Sequence, residues 1–424
     1  MSTTFEPAAA PVVFDPYDYD FHEDPYPVYA RLRAEAPLHH NAEHDFWSLS
    51  RHADIAAAVR DDDTFSNAMG VSLDKSAWGP HAHKVMSFLA MDAPHQARLR
   101  SLVSRAFTPR RVRGLEPRVQ ALTEHYLGFA LEGAGSGDEV DLDWIAAFAG
   151  KLPMDVISEM MGVPEADRDE VRRLADLVVH REEGVRDVPP AGMEAALTLV
   201  GYYAEMLAER RRQPTEDLTS ALLAVRLDDE AGGSGAGDRL GDDEIIAFLF
   251  LMVVAGNETT TKLLGNALFH LTAHPEQLAD VLDAGPGPDG LVGPWIEETL
   301  RHDTSSQMVA RHLKRDLALH GTVAPAGSKL LLLLGSANRD ETVFTEPTVF
   351  DLHRERAELS QILSFGGGRH FCLGANLARL EARVALAHLV GVADGLEVDH
   401  GAAVRVHSTS VRGFASLPTR VRLR

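Results

Sequence analysis

Residues 365–374 read FGGGRHFCLG, and they contain Cys372, the only cysteine in a chain of 424 residues. The three consecutive glycines, Gly366 to Gly368, allow tight turns and close approach of the backbone to a large flat group, and they leave amide donors around a thiolate. From Ala375 the run ANLARLEARVALAHLV predicts a helix. Cys372 therefore lies just before a helix N-terminus, where the partial positive charge stabilises an anionic sulfur. A lone cysteine is by default a small buried hydrophobe; these neighbours suit a metal-bound thiolate instead.

The rest of the chain limits what chemistry can use that thiol. A composition of 45% hydrophobic and 25% charged residues is that of a globular protein with ample core material. A single cysteine excludes an internal disulfide framework and fits a reducing cytoplasm. The N-terminal MSTTFEPAAAPVVFDPYDYD lacks the basic start and apolar core of a secretory signal, and residues 1–24 are expected to be irregular. No run is expected to reach the roughly 18 apolar residues of a membrane span, so the protein is expected to be soluble, without a membrane association. The formal charge of −22 argues against nucleic acid as a partner.

Helical periodicity dominates the first three quarters, with segments near 51–60, 95–107, 115–132, 144–161, 165–182, 192–213 and 215–227. DDEAGGSGAGDRLGDDE at 228–244 reads as a solvated loop, and it precedes the longest helical candidate, 243–273. The middle of that helix, AFLFLMVVAG, is apolar almost all round, which predicts burial through the centre of the protein. Short β-rich pieces follow: KLLLLLGSA at 329–337 and segments near 396–423. No internal repeat is present. The expected architecture is one mainly α domain over residues 1–424 with small β-sheets.

Several other chemistries lose their motifs. GPGPDG at 285–290 formally fits a dinucleotide glycine pattern, but its two prolines remove amide donors and no strand precedes it. None of the 20 histidines forms an HExxH pair, no nucleophile elbow is present, and one cysteine cannot make CxxCH. Neither zinc nor flavin is expected.

FGGGRHFCLG resembles the haem-binding loop of the cytochrome P-450 family, matching its F-G-x-G-x-H-x-C-x-G pattern at every fixed position. The resemblance implies that Cys372 is the proximal thiolate of a b-type haem, that Phe365 packs near the sulfur, and that His370 bonds a haem propionate. EETLR at 297–301 supplies Glu298 and Arg301, similar to the family's E-x-x-R pair; at i, i+3 they share a helix face. Arg354 in FDLHR is a candidate third partner, and Val349 stands where many relatives carry arginine. AGNETT at 255–260 resembles the oxygen-activating segment. Ala255 and Gly256 leave space against the helix, and Thr259 can bond a carbonyl one turn back, loosening the ladder into a groove for water. Glu258 beside Thr259 offers a carboxylate and a hydroxyl in succession for proton delivery.

In APHQARLRSLV at 93–103 the family usually has a histidine four residues before an arginine. Arg100 matches the arginine, Gln96 holds the histidine place, and His95 lies one residue earlier. Arg311 resembles the arginine that meets the other propionate. By the same resemblance the substrate pocket draws on the 69–89 loop, on Leu251, Val254 and Ala255, on Ser306, Gln307, Met308 and Val309, and on Ser408 and Thr409. The family's fold is a triangular, mostly α domain whose long 243–273 helix crosses the distal haem face.

The implied activity is monooxygenation, with one oxygen atom of O2 inserted into a C–H bond. Its substrate would be a largely apolar small molecule with at least one hydrogen-bonding group, such as a steroid, terpenoid, fatty acid or polyketide. Electrons would come from a ferredoxin and its NAD(P)H-dependent reductase, docking at Arg105, Arg110, Arg111 and Arg369 of a monomer. A peroxide-driven peroxygenase and a non-catalytic haem-binding protein are the alternatives; Glu258 and Thr259 count against both.

Overall fold

The computed structural model describes residues 11–132, 138–181, 185–226 and 239–424. Its centre is the helix Asp242–Thr272, 31 residues and about 46 Å long. The helix starts where the Gly241 amide donates to Glu244 Oε2 at 2.8 Å, with Asp242, Asp243 and Glu244 in the first turn opposing the positive end of the dipole. It is packed on several sides, by Leu152–Met161, Pro190–Arg212, Val292–His302 and Ala375–Val392. The indole N–H groups of Trp144 and Trp295 reach into it and donate to the carbonyls of Leu264 (3.2 Å) and Ala267 (2.8 Å). By length and composition this helix is apolar enough to cross a membrane, and half of its apolar window is buried inside the protein. The expectation that no run approaches that length is corrected here: an apolar sequence of this kind serves equally as a core helix.

The helices share one large apolar core, and a second core lies between the N-terminal helices and a five-stranded sheet. In that sheet the strands run in the order Leu38–Asn41, Phe46–Leu49, Lys329–Leu332, Val309–Leu313 and Phe65–Ser66. Only Phe46–Leu49 against Lys329–Leu332 is parallel. An antiparallel three-stranded sheet joins Glu139–Asp143, Pro418–Leu423 and Ala393–Val398.

Several expected boundaries move. Residues 144–161 form two pieces, a π-turn over Ile145–Ala149 closed by Gly150 N–H to Ile145 O (2.9 Å), then a helix from Leu152. Pro153, which has no amide hydrogen, sits at the start of the second piece, where none is required. The stretch 329–337 is a strand only to Leu332; Leu334–Ala337 is a helical turn. The N-terminal segment is not wholly irregular, since Tyr19–Glu23 is helical and is capped by the Asp18 side chain on the Asp20 amide. Of the expected loop at 228–244, residues 228–238 lie outside the described residues.

Glu298 and Arg301 lie on one face of Val292–His302, with both side chains fully buried. Arg301 grips Glu298 with two parallel bonds, Nε to Oε2 at 2.8 Å and a terminal nitrogen to Oε1 at 2.7 Å. Arg354 adds Nε to Oε2 at 3.0 Å, and the Asp351 amide donates to Oε1 at 3.0 Å. The remaining Arg301 donors reach the carbonyls of Asn338, Pro347 and Val349. Val349 thus contributes its carbonyl to the Arg301 guanidinium. Arg301→Ala leaves a buried carboxylate with half its partners, and the expected loss is about 3–5 kcal/mol in urea unfolding, or failure to fold. A loss below about 1 kcal/mol, the worth of a surface pair, contradicts the account.

Candidate active site

Ser364 fixes the start of the cysteine loop by bonding Leu300 O (2.6 Å) and accepting from Asn338 (2.8 Å). The loop then turns through Gly366, with φ +67°, and Gly368, with φ +59°. A Cβ at Gly368 would stand 2.1 Å from the Val59 carbonyl oxygen. The glycine is therefore required by protein packing as well as by its left-handed backbone. The Cys372 amide closes the loop on Phe365 O at 3.0 Å.

The Cys372 sulfur opens onto a cavity of about 290 Å³ while protein surrounds the rest of the residue. Burial pushes its thiol pKa up; the amides of Gly374 and Ala375 and the guanidinium groups of Arg100 and Arg379 oppose the rise. The opposite wall is a stripe of the central helix: Phe248, Leu251, Met252, Ala255, Gly256 and Thr259. Phe88 and Leu89, with Val71, close another side. Thr259 Oγ1 donates to Ala255 O at 3.0 Å, yet the helix runs unbroken, so the expected loosening is absent. Nor does Gly256 simply open space for a ligand. Its hydrogen lets Ile157 of the neighbouring helix approach, and a Cβ there would be 3.1 Å from that side chain.

Three nitrogen-bearing groups line the cavity: Arg100, Arg311 and His370. Arg311 is buried and donates only to Ala310 O among the described residues; burial lowers its pKa to about 10. Arg100 donates to Phe371 O at 2.6 Å. His370 Nδ1 is buried without a hydrogen-bond partner, and burial beside Arg311 pushes the imidazole pKa down to about 3, so it is neutral. None of the three forms an ion pair among the described residues.

Other expected site residues lie elsewhere. Glu258 does not line this cavity. One residue along the helix from Thr259, it faces a second cavity of about 780 Å³ and pairs with Lys262 at 3.2 Å. Successive helix positions are about 100° apart, which places the two side chains on different faces. Ser306 and Val309 line the first cavity, but Gln307 turns back to Thr304 O at 2.8 Å and Met308 is buried in the sheet-side core. Val254 packs against the helical core, outside the lining. Ser408 and Thr409 line a third cavity with Asp74 and Arg181. Gln96, fully buried, donates to Arg369 O at 2.9 Å, and His95 is exposed; neither lines the cavity. Arg369 pairs with Asp62, and Arg105, Arg110 and Arg111 are exposed. Phe248 and Met252 escaped the sequence reading. Counting back from Thr259 by three and four residues along one helix face reaches both.

The comparison with known proteins decides the family. The model named "Cytochrome P450" matches residues 191–282 and 291–391. Cytochrome P450 123 of Mycobacterium tuberculosis is 54% identical over 413 residues, 97% of this chain and 98% of that one. The chain belongs to the cytochrome P-450 family. The vitamin D(3) 25-hydroxylase of Pseudonocardia autotrophica is 35% identical, with 95% of each chain covered. The solved structure of cytochrome P450 CYP109Q5 from Chondromyces apiculatus superposes with a TM-score of 0.83 at 33% identity, covering 97% of this chain and 98% of that one. The fold is thus that of this family, mainly α with small sheets, and the chain is an enzyme of a monooxygenase family.

Membership implies a haem iron, and the cavity fits one. A thiol faces an apolar slot, and around it stand two guanidinium groups in no salt bridge among the described residues and an orphaned imidazole nitrogen, as the carboxylates of a haem require.

In the second cavity Asp176 has its pKa raised to about 6, by burial first and by Glu258 second. A folded pKa above the usual 3.8 means the associated stability is complete below about pH 3.8 and is lost as the pH rises through 6. Asp176→Asn is therefore expected to match the wild type near pH 4 and to gain up to about 3 kcal/mol by pH 7, measured by urea unfolding across that range. Equal stability at every pH would show that the charged form is accommodated without penalty.

Proposed function

We propose that this chain is a haem-thiolate monooxygenase that inserts one oxygen atom of O2 into a C–H bond of a largely apolar molecule. The net reaction is R–H + O2 + 2e⁻ + 2H⁺ → R–OH + H2O. The observation that carries the reading is the single thiol of the chain opening into an apolar cavity walled by the Phe248–Thr259 stripe.

Cys372 would be the iron ligand. Its raised thiol pKa means that loading releases a proton from the sulfur. Arg100, Arg311 and His370 would hold the carboxylates of a noncovalent b-type haem, and Phe365, under the Arg379 guanidinium at 4.5 Å, would shield the sulfur. When bound, the haem supplies the dioxygen chemistry, and thiolate ligation favours O–O cleavage.

Thr259 commits its own hydrogen to Ala255 O, so it meets the cavity as an acceptor that holds a water in place. Glu258, paired to Lys262 and facing the second cavity, takes protons from solvent on the far side of the helix. Ala255, Leu251, Ser306 and Val309 would contact the substrate. The apolar stripe with hydroxyls at Thr304 to Ser306 fits a polycyclic or terpenoid body carrying one polar group. The name of the 35%-identical vitamin D(3) hydroxylase supports ranking that class first. Electrons would arrive from a ferredoxin and its reductase at the face bearing Arg105, Arg110, Arg111 and Arg369, and the unprotected metal thiol suits a reducing cytoplasm.

The dithionite-reduced, haem-loaded protein with carbon monoxide is expected to give the red-shifted Soret band of a thiolate-ligated iron, and Cys372→His to lose it. A wild-type band at the position of a histidine-ligated haem, or no band, removes the proposal. Thr259→Ala is expected to lower product formed per electron consumed about tenfold with the band intact. Turnover with peroxide alone, unmatched by turnover with redox partners, would move the assignment to a peroxygenase.

A further inference from the structure

The Cys372 cavity holds about 290 Å³, near the lower end of what one small organic ligand fills. A site that takes a haem and a substrate needs more room, so one of its walls must yield. The central helix runs unbroken, the cysteine loop is tied down by Ser364 and the Cys372 amide, and Val309 and Arg311 belong to the five-stranded sheet. Phe88 and Leu89 stand on a single 3-10 turn, Ser87–Ala90. Ser87, its first residue, has φ +48° and ψ −140°. L-residues avoid a positive φ, and this ψ lies far from the left-handed well in which some of them settle. No side-chain bond offsets the strain, since Ser87 is 1% exposed and its Oγ has no hydrogen-bond partner. Its neighbours hold it there. On one side His83–Met86 packs against the central helix. On the other, Asn67 Nδ2 donates to Leu89 O at 2.9 Å and the Asn67 amide to Asp92 Oδ1 at 2.8 Å. The Phe88 ring thereby lies 6.0 Å from the Phe248 ring and 5.8 Å below the Arg100 guanidinium.

Resting on the monooxygenase reading above, we propose that Ser87 is a specificity-determining hinge, whose strained backbone holds Phe88 and Leu89 inward and relaxes when a bulky substrate displaces them. Strain in the inward form lowers the cost of opening, because the outward form releases it. A small ligand fits beneath the wall and gains nothing from that release. A ligand of several rings binds only the outward form, so its apparent affinity scales with the fraction of molecules in which the hinge has turned. Substrate size is thus selected by a residue that does not line the cavity itself. Glycine at this position removes the penalty on the inward form and leaves the outward form as it was, which shifts the population inward and against bulky ligands.

Two iron-binding azoles test the inference on the haem-loaded enzyme: imidazole itself and 1-tritylimidazole, which joins the same ring to a triphenylmethyl group too large for the inward cavity. Binding is read from the Soret shift. Ser87→Gly is expected to weaken tritylimidazole about tenfold, toward the low end of what such strain is worth, and to leave imidazole within about twofold. Ser87→Ala keeps a strained L-residue and removes only the hydroxyl, so it should match the wild type with both azoles. Ser87→Gly combined with Phe88→Ala should restore tritylimidazole binding, since the hinge acts through the Phe88 ring. Heat denaturation gives a check without any azole: Ser87→Gly should melt no lower than Ser87→Ala, although glycine ordinarily costs stability. Equal tritylimidazole affinity in wild type and Ser87→Gly, no tritylimidazole binding to the wild type, or a glycine variant that melts several degrees below the alanine one overturns the hinge. Each of these results can occur with the thiolate carbon monoxide band intact, whereas absence of that band in the wild type refutes the monooxygenase reading instead.

Discussion

The Glu298 carboxylate is the anion on which the site's geometry rests. Fully enclosed, it would be untenable without Arg301 and Arg354, and Arg301 has donors left over once it has gripped the acid. Those donors fix the carbonyl of Asn338. The side chain of Asn338 then accepts from the Leu363 amide at 2.7 Å and donates to Ser364 Oγ at 2.8 Å. The route from a buried ion pair to the first residues of the cysteine loop is thus four hydrogen-bonded groups long. Breaking a pair like this costs more than the pair contributes, because the surviving charge stays buried. Its value here lies in setting where the loop begins.

A second buried acid, Asp303, caps the C-terminal end of the same helix. Asp303 accepts from Tyr26 Oη (2.7 Å), Arg412 Nε (2.7 Å) and Arg405 (3.2 Å), and its other near contact is His270 Nε2 at 2.9 Å. Burial alone would raise its pKa, but Arg412 and Arg405 hold it well below the usual carboxylate range. The helix Tyr26–Glu35, the central helix, the short strand Val404–Arg405 and Arg412 are joined through one carboxylate. Nothing in the local sequence HDTSSQ distinguishes this aspartate from a surface residue, since its partners come from 277 residues upstream to 109 downstream.

What the sequence made legible follows the same division. The central helix, the helix after Cys372 and the i, i+3 pair of Glu298 and Arg301 are local patterns, and they were readable as such. So was the cysteine loop, because its glycines, histidine and thiol fall within ten residues. Side-chain direction was not legible where adjacent positions diverge. Glu258 follows the helix away from Thr259, and Gln307 and Met308 point into protein between Ser306 and Val309, which line the cavity. Gln96 looked like a substitute ligand for a lost histidine, but its amide is used on the Arg369 carbonyl, a partner 273 residues away. Ser87 carried no signal at all. A serine beside apolar residues reads as an ordinary turn until the backbone shows a dihedral that glycine favours.

The central helix is a partition one helix thick, with an apolar chamber on one face and a charged one on the other. A molecule filling the first chamber touches the Phe248 to Ala255 stripe and never reaches Glu258, Lys262 or Asp176. Selection for a new substrate can therefore exchange residues of that stripe without retuning the acids behind it. The apolar stripe and the charged cluster are insulated from each other by a backbone they share, which lets one change its vocabulary while the other keeps its own.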